Sequence, residues 1–232
     1  VVQYEIRTVA YIDILGFTNL INKSPNDANT FLKIMDSLRD MEDIKNNSRD
    51  YEFDQGTIDV SLFSDNILIS SCDSSGRAAE FNCLISAMYL QMSLLGKGIL
   101  TRGGVTKGQL FHNSNLLFGP ALVKAHDIES QISIFPRIVV DETITSEGSI
   151  FKTDFDGYRY LDTLGQGLFY HGLKQTHGGT YNLYHTIYSF VKSELQTHNN
   201  VKVREKLEWL RNYCEETFAL QNGEVLFHNG IS

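Results

Sequence analysis

The chain has 232 residues, 42% hydrophobic and 21% charged with only three prolines, so it can bury a sizeable core and is too apolar for disorder or low-complexity character. Twenty Lys and Arg against twenty-eight Asp and Glu leave a net charge of −8, which argues against nucleic-acid binding by phosphate neutralisation and against a basic membrane-surface protein. Three cysteines without close pairing support neither a disulfide framework nor a thiolate zinc site. No apolar run approaches the roughly 20 residues of a membrane span, and a cytoplasmic, reducing compartment is predicted.

Val9 to Ile14 reads as a buried strand, β-branched and aromatic, carrying Asp13 near its end and closed by Gly16. Ser24, with Pro25 behind it, predicts a helix to about Asn46 whose stripe Phe31, Met35, Leu38 and Met41 faces the core. From Thr57 the pattern alternates, and Ser64-Asp65-Asn66 between two apolar runs predicts a hairpin with Asp65 at its tip. Gly76 to Leu95 predicts an amphipathic helix, and Thr101 to Leu110 a strand whose Gly103, Gly104 and Gly108 allow close approach of a backbone or ligand.

Ala121 to about Ile132 reads as a helix, Pro136 to Val140 as an edge or terminal strand, and Phe151 to Asp162 as a hairpin around Asp156-Gly157. Two helices follow, Thr180 to Thr197 and Val201 to Leu220. The opening order β-α-β-β-α-β predicts an α+β fold with a ferredoxin-like antiparallel sheet core, helices on one face, and a C-terminal helical hairpin. Residues 1–165 form the predicted core and 166–232 a helical extension packed on the same domain, because no linker separates them.

If the first three strands are neighbours, Asp13 and Asp65 reach the same edge of the sheet. Two readings are open: ordinary turn chemistry at Asp65, or a pair of carboxylates holding two Mg2+ or Mn2+ ions that clamp a triphosphate and activate an oxygen nucleophile. Bound ions would supply the positive charge that the chain lacks.

Tyr11-Ile12-Asp13-Ile14-Leu15-Gly16-Phe17-Thr18 resembles the Asp-Ile-x-Gly-Phe-Thr signature that opens the catalytic domain of class III nucleotidyl cyclases. Phe63-Ser64-Asp65-Asn66 resembles the hairpin bearing that family's second metal-binding Asp. Arg102 to Gly108 resembles its later Arg-x-Gly strand, and Phe118 to Glu129 its Gly-to-Leu-Glu helix, in the same order. The resemblance implies that Asp13 and Asp65 ligate two ions with the Ile14 carbonyl, and that amides of Gly16, Phe17 and Thr18 cradle phosphates. It also implies a homodimer with active sites at the interface.

Four positions depart from purine cyclases. Ser61 stands where they carry a base-reading Lys, Leu116 falls near a second base-reading position, and Val123 and Asp127 align with the transition-state Asn and Arg. With the Phe-Ser-Asp-Asn and Arg-Gly-Gly forms, these departures resemble the pyrimidine cyclases of bacterial antiphage defence, the Pycsar systems. That likeness implies a pyrimidine nucleoside triphosphate substrate, CTP or UTP, a cyclic CMP or cyclic UMP product read by a separate effector protein, and neither nucleic acid nor membrane as a partner. A hydroxyl at Ser61 suits either pyrimidine edge.

Arg102 is a candidate for stabilising charge or contacting the nucleotide, or else an exposed or interface Arg, and Lys124 is a candidate phosphate contact or a solvated helix Lys. His126 and Glu129 share i, i+3 spacing but lack a third ligand. His171 and His177 flank a glycine-bearing loop and read as exposed or turn-stabilising residues, and the stripe around Trp209 reads as packing or dimer surface.

Overall fold

The computed structural model describes residues 3–47, 58–73, 77–113, 115–167 and 179–222. Thr57, Gly76, His171 and His177 lie outside the described residues. Eight strands form one sheet, β1 (Glu5–Ile14), β2 (Ile58–Phe63), β3 (Asn66–Cys72), β4 (Thr101–His112), β5 (Leu117–Phe118), β6 (Ile138–Val140), β7 (Phe151–Thr153) and β8 (Arg159–Leu161). Their order is β2-β3-β1-β4-β6-β8-β7, with β5 paired to β4. The helices are α1 (Phe17–Lys23), α2 (Ala28–Asn47), α3 (Arg77–Gly96), α4 (Pro120–Asp127), α5 (Gly179–Thr197) and α6 (Val201–Asn222).

The α+β class follows the sequence pattern, with two differences. β6 runs parallel to β4, pairing Gly103 with Ile138, so the sheet is mixed. A parallel neighbour needs a long crossover, and the segment holding α4 supplies it. Helices also cover both faces. α3 packs on the face of Ala10, Ile12, Val60, Ile67 and Ile69, whereas α4 packs on the opposite face through Val9, Leu68, Leu110, Ala121 and Ala125.

α3 is buried on two sides and not amphipathic. Leu84, Met88 and Leu94 join the sheet core while Met92 and Leu95 join a second cluster with Tyr160, Ile187, Leu210 and Tyr213. A helix that is apolar all round is an interior helix, and Leu84→Ala would cost about 2–5 kcal/mol. Burial pushes the Cys83 and Cys214 thiols up to about 12, so neither is a nucleophile at neutral pH.

The predicted first helix begins after Ser24, and a short helix that the sequence pattern did not show precedes it. α1 starts straight after Gly16, Pro25 sits in a short 3-10 turn of residues 24–26, and Asp27 takes the cap role. The Asp27 carboxylate accepts from the Asn29 amide at 3.0 Å and the Thr30 hydroxyl at 2.7 Å, whereas Ser24 donates back to the Ile21 carbonyl. Phe31 of the predicted core stripe is 53% exposed; the side chains of Leu38 and Met41 lie outside the described residues.

α5 and α6 dock on α3 and β8. Arg137, fully buried, ion-pairs Asp154 and Asp156, and the Trp209 indole donates to Asp154 at 2.8 Å. Trp209 is thus a packing residue on α6. Among the described residues no helix is long and apolar enough to cross a membrane.

Candidate active site

The sheet register decides which side chains meet. Asp13 on β1 pairs with Arg102 on β4 and with Asn66 on β3, so all three stand at one end of adjacent strands. Asp65 follows in the two-residue turn closing the β2–β3 hairpin, where Ser64 takes the left-handed conformation with φ 57°. The Asp65 carbonyl accepts the Ile14 amide at 3.0 Å. The hairpin tip is therefore tied by main chain to the end of β1, beside Asp13. The predicted juxtaposition of Asp13, Ile14 and Asp65 is present.

Arg102 lies between two carboxylates. Its Nε–H is directed at Asp13 Oδ2 at 3.4 Å, and the same nitrogen lies 2.6 Å from Glu129 Oε1. Glu129 Oε1 is buried and receives no aligned hydrogen bond. Glu129 reaches this position because α4 runs into a π-helical turn over Ile128–Ile132, which turns the side chain inward to 3% exposure. Close approach of that segment requires Gly104, where a Cβ would stand 2.4 Å from the Ala125 carbonyl oxygen.

Charge in this corner is predominantly negative. Burial raises the Asp13 carboxyl above its ordinary value and Asp65 adds to the rise, while Arg102 opposes both. Burial likewise raises Glu129 against the pull of Arg102, with Asp13 and Asp65 adding to the rise. Burial and these three carboxylates raise the Tyr11 phenol too. An unaligned buried oxygen and carboxylates pushed toward protonation mark a site short of positive charge.

The donor set fits hard divalent cations. Asp13 and Asp65 offer carboxylate oxygens with no thiolate beside them. Among the described residues no three His, Cys, Asp or Glu side chains converge as a finished metal cage, so any ion held here would draw further ligands from substrate or water. His126 takes no part in the pair; its ring packs edge-on against Tyr11 at 5.3 Å.

Gly16 precedes α1 with φ 75°, and a Cβ there would meet nothing within 4 Å. Phe17 turns its ring into the sheet core, and Thr18 is exposed. Amides in the first turn of a helix have no intrahelical acceptor, so this segment presents main-chain donors next to Asp13. Lys124 is placed otherwise, in an ion pair with Asp141. Leu116, Val123 and Asp127 are exposed.

Ser61 lies on the same sheet face as Asp13. It pairs with Leu68, which pairs with Tyr11, so Ser61 stands two strands and one row from Asp13, roughly 12 Å between backbones. Its hydroxyl is 2.8 Å from Nε2 of buried His112, whose Nδ1 is 2.7 Å from the Ser70 hydroxyl. Ser70 in turn accepts from Arg7 Nε at 3.0 Å, and Arg7 ion-pairs Glu5 and Asp59. This chain of polar contacts across the sheet fixes the orientation of Ser61. His112 and Glu129 are the residues that sequence reasoning missed; the i, i+3 relation of Glu129 to His126 drew attention to the helix but not to Arg102.

No family model matches the chain, and no curated protein does. Solved structures do resemble it. A bacterial light-regulated adenylyl cyclase is 15% identical with a TM-score of 0.45, over 80% of this chain and 99% of that one. The catalytic core of a rhodopsin-guanylyl cyclase with converted specificity, in complex with ATPαS, is 14% identical with a TM-score of 0.43, over 68% and 96%. A class III adenylyl cyclase-like ATP-binding protein from Pseudomonas aeruginosa is 15% identical with a TM-score of 0.39, over 79% and 40%. At this distance activity has to be read from the chain's own residues.

Proposed function

We propose that the protein is a metal-dependent nucleotide cyclase of class III type, acting on CTP or UTP. The observation that carries this reading is the main-chain tether between Ile14 and Asp65, which holds the Asp65 turn beside Asp13 at the mouth of the Gly16 segment. The signature Asp13-Ile14-Leu15-Gly16-Phe17-Thr18 supports it. In the reaction the ribose 3′-oxygen displaces pyrophosphate from the α-phosphorus, giving the 3′,5′-cyclic monophosphate, pyrophosphate and one proton.

Asp13 and Asp65, with the Ile14 carbonyl, would hold two Mg2+ or Mn2+ ions, which when bound neutralise the triphosphate and acidify the attacking hydroxyl. Amides of Gly16 to Thr18 would orient the phosphates. Arg102, held by Asp13 and Glu129, stands where a cation can follow charge developing on the α-phosphate. Ser61 would meet the pyrimidine edge, on an acidic chain whose purine-reading Lys is absent. Leu62 and Phe63 on β2, Leu116, Phe118 and Val123 are exposed apolar side chains, positions of the kind that a second copy would cover in a homodimer. The product would serve as a signal for a separate effector in antiphage defence.

Incubation with each of the four nucleoside triphosphates and Mn2+, with product identification, tests the reading. Cyclic CMP or cyclic UMP is expected. Product from ATP or GTP alone would leave a divergent purine cyclase. No product from any triphosphate would leave a binding or dimerisation module on the same scaffold.

A further inference from the structure

The C-terminal hairpin does more than cover α3. Between it and the Gly16 segment lies a cavity of about 390 Å³, a size typical of small-ligand sites. Its walls come from four helices. Gly16 and Lys23 lie at the two ends of α1, Lys33 belongs to α2, Glu194 to α5 and Lys206 to α6. Three lysines and one glutamate thus line the cavity, in a chain whose net charge is −8. Glu194 is itself engaged with His198 at 2.8 Å.

The placement of Lys206 is specific. It is half-buried, and among the described residues no carboxylate forms an ion pair with it. Burial lowers its ammonium below the usual range, Arg102 pushes the same way, and Asp13 and Glu129 oppose. Lys33 is also lowered by burial; its Nζ donates to the Gly98 carbonyl at 2.9 Å. Partly desolvated ammonium groups gain most from an anion.

We infer that this cavity is a polyphosphate-binding site, in which Lys23, Lys33 and Lys206 hold the phosphate chain of the substrate, so that the C-terminal hairpin contributes a binding residue to the active site. Of the neighbouring cations, Arg102 is shared between Asp13 and Glu129 beside the reacting centre, and Lys124 pairs with Asp141. The identity of the ligand as substrate rests on the cyclase reading; the anion site itself does not.

Calorimetric titration of the whole protein with inorganic tripolyphosphate in EDTA reads the lysines without divalent ions. Binding by the wild type is expected, weakened at least tenfold by Lys206→Ala and by Lys23→Ala, retained by Lys206→Arg, and unchanged by Lys152→Ala, on β7 at the far edge of the sheet. Melting curves confirm that each variant is folded. No binding by the wild type, or affinities for Lys206→Ala and Lys23→Ala within twofold of it, would overturn the site. In turnover assays tripolyphosphate should compete with CTP or UTP, and Lys206→Ala should raise KM more than it lowers kcat; non-competitive inhibition would overturn the assignment to the substrate chain. Lysine-dependent binding without turnover of any triphosphate would uphold the anion site and reject the cyclase reading. Turnover with an unchanged KM in Lys206→Ala would uphold the cyclase reading and overturn the assignment of the site to the substrate chain.

Discussion

Arg102 Nε lies closer to Glu129, at 2.6 Å, than to Asp13, at 3.4 Å. Glu129 is the more buried partner, with 4% of its side chain exposed against 19% for Asp13. Removing the guanidinium by Arg102→Ala leaves two carboxylates facing each other. A cost on the order of 2 kcal/mol is expected, below the ~3–5 of a fully buried pair because Arg102 is partly exposed. Adding Glu129→Gln should recover much of that loss. A double-mutant cycle by urea unfolding checks it, and strictly additive effects would show that the two residues are not coupled.

The raised Asp13 carboxyl makes stability depend on pH in a defined direction. Its folded value lies above the unfolded one, so between the two the native state binds more protons and stability falls as pH rises. Above that window the loss is constant. Asp13→Asn should therefore be more stable than wild type at neutral pH, and the difference should vanish toward pH 3.5. Shifted acids remote from Asp13, such as Asp27 and Asp156, which are lowered, cancel in the comparison, while relief of Glu129 from the Asp13 charge acts in the same direction. Urea midpoints from acid to neutral pH measure it; a wild type as stable as the variant at pH 7 would contradict the assignment.

Divalent ions should reverse the same penalty. Mn2+ at about 100 times its dissociation constant should stabilise the wild type by roughly 2.7 kcal/mol. The rise in melting temperature should disappear in Asp65→Asn and in Asp13→Asn, and EDTA should restore the metal-free value. Both variants should lose turnover by at least about 100-fold. An equal Mn2+ shift in wild type and variants would place the ion elsewhere.

The contact between Ser61 and His112 predicts a change in recognition that leaves the reacting centre intact. Ser61→Ala should raise KM for the pyrimidine triphosphate by about tenfold, the equivalent of one hydrogen bond of about 1.4 kcal/mol. kcat should stay within a factor of about three. His112→Phe, at a buried position behind Ser61, should shift KM in the same direction because Ser61 loses the partner that orients it. Steady-state kinetics on both variants decide this, and an unaffected KM in His112→Phe would detach the polar chain from recognition.

Most local features of the fold were legible, as was the meeting of Asp13 with Asp65; other relations between distant segments were not. Alternation around Val60 and the turn at Ser64-Asp65 placed the hairpin correctly, because both signals sit within a few residues. Cap choice failed locally. Ser24 and Asp27 are both good caps, and the one whose carboxylate meets Asn29 and Thr30 won. Glu129 could not be found from spacing, since its burial needs a π-helical turn and the missing side chain of Gly104, 25 residues earlier. α3 read as amphipathic because its second buried face is created by α5 and α6, elements nearly a hundred residues downstream. Lys206 was invisible for the same reason.

The Ile14–Asp65 bond has a further consequence. It joins an amide to a carbonyl, groups present at almost every position of any chain, and at residue 14 only proline would abolish it. The spacing of the main chain at residues 13 and 65 is thus held by a bond that does not depend on which side chains surround it. Neighbouring side chains can therefore be exchanged without cutting the tie, and the hairpin tip stays joined to the first strand through changes around it.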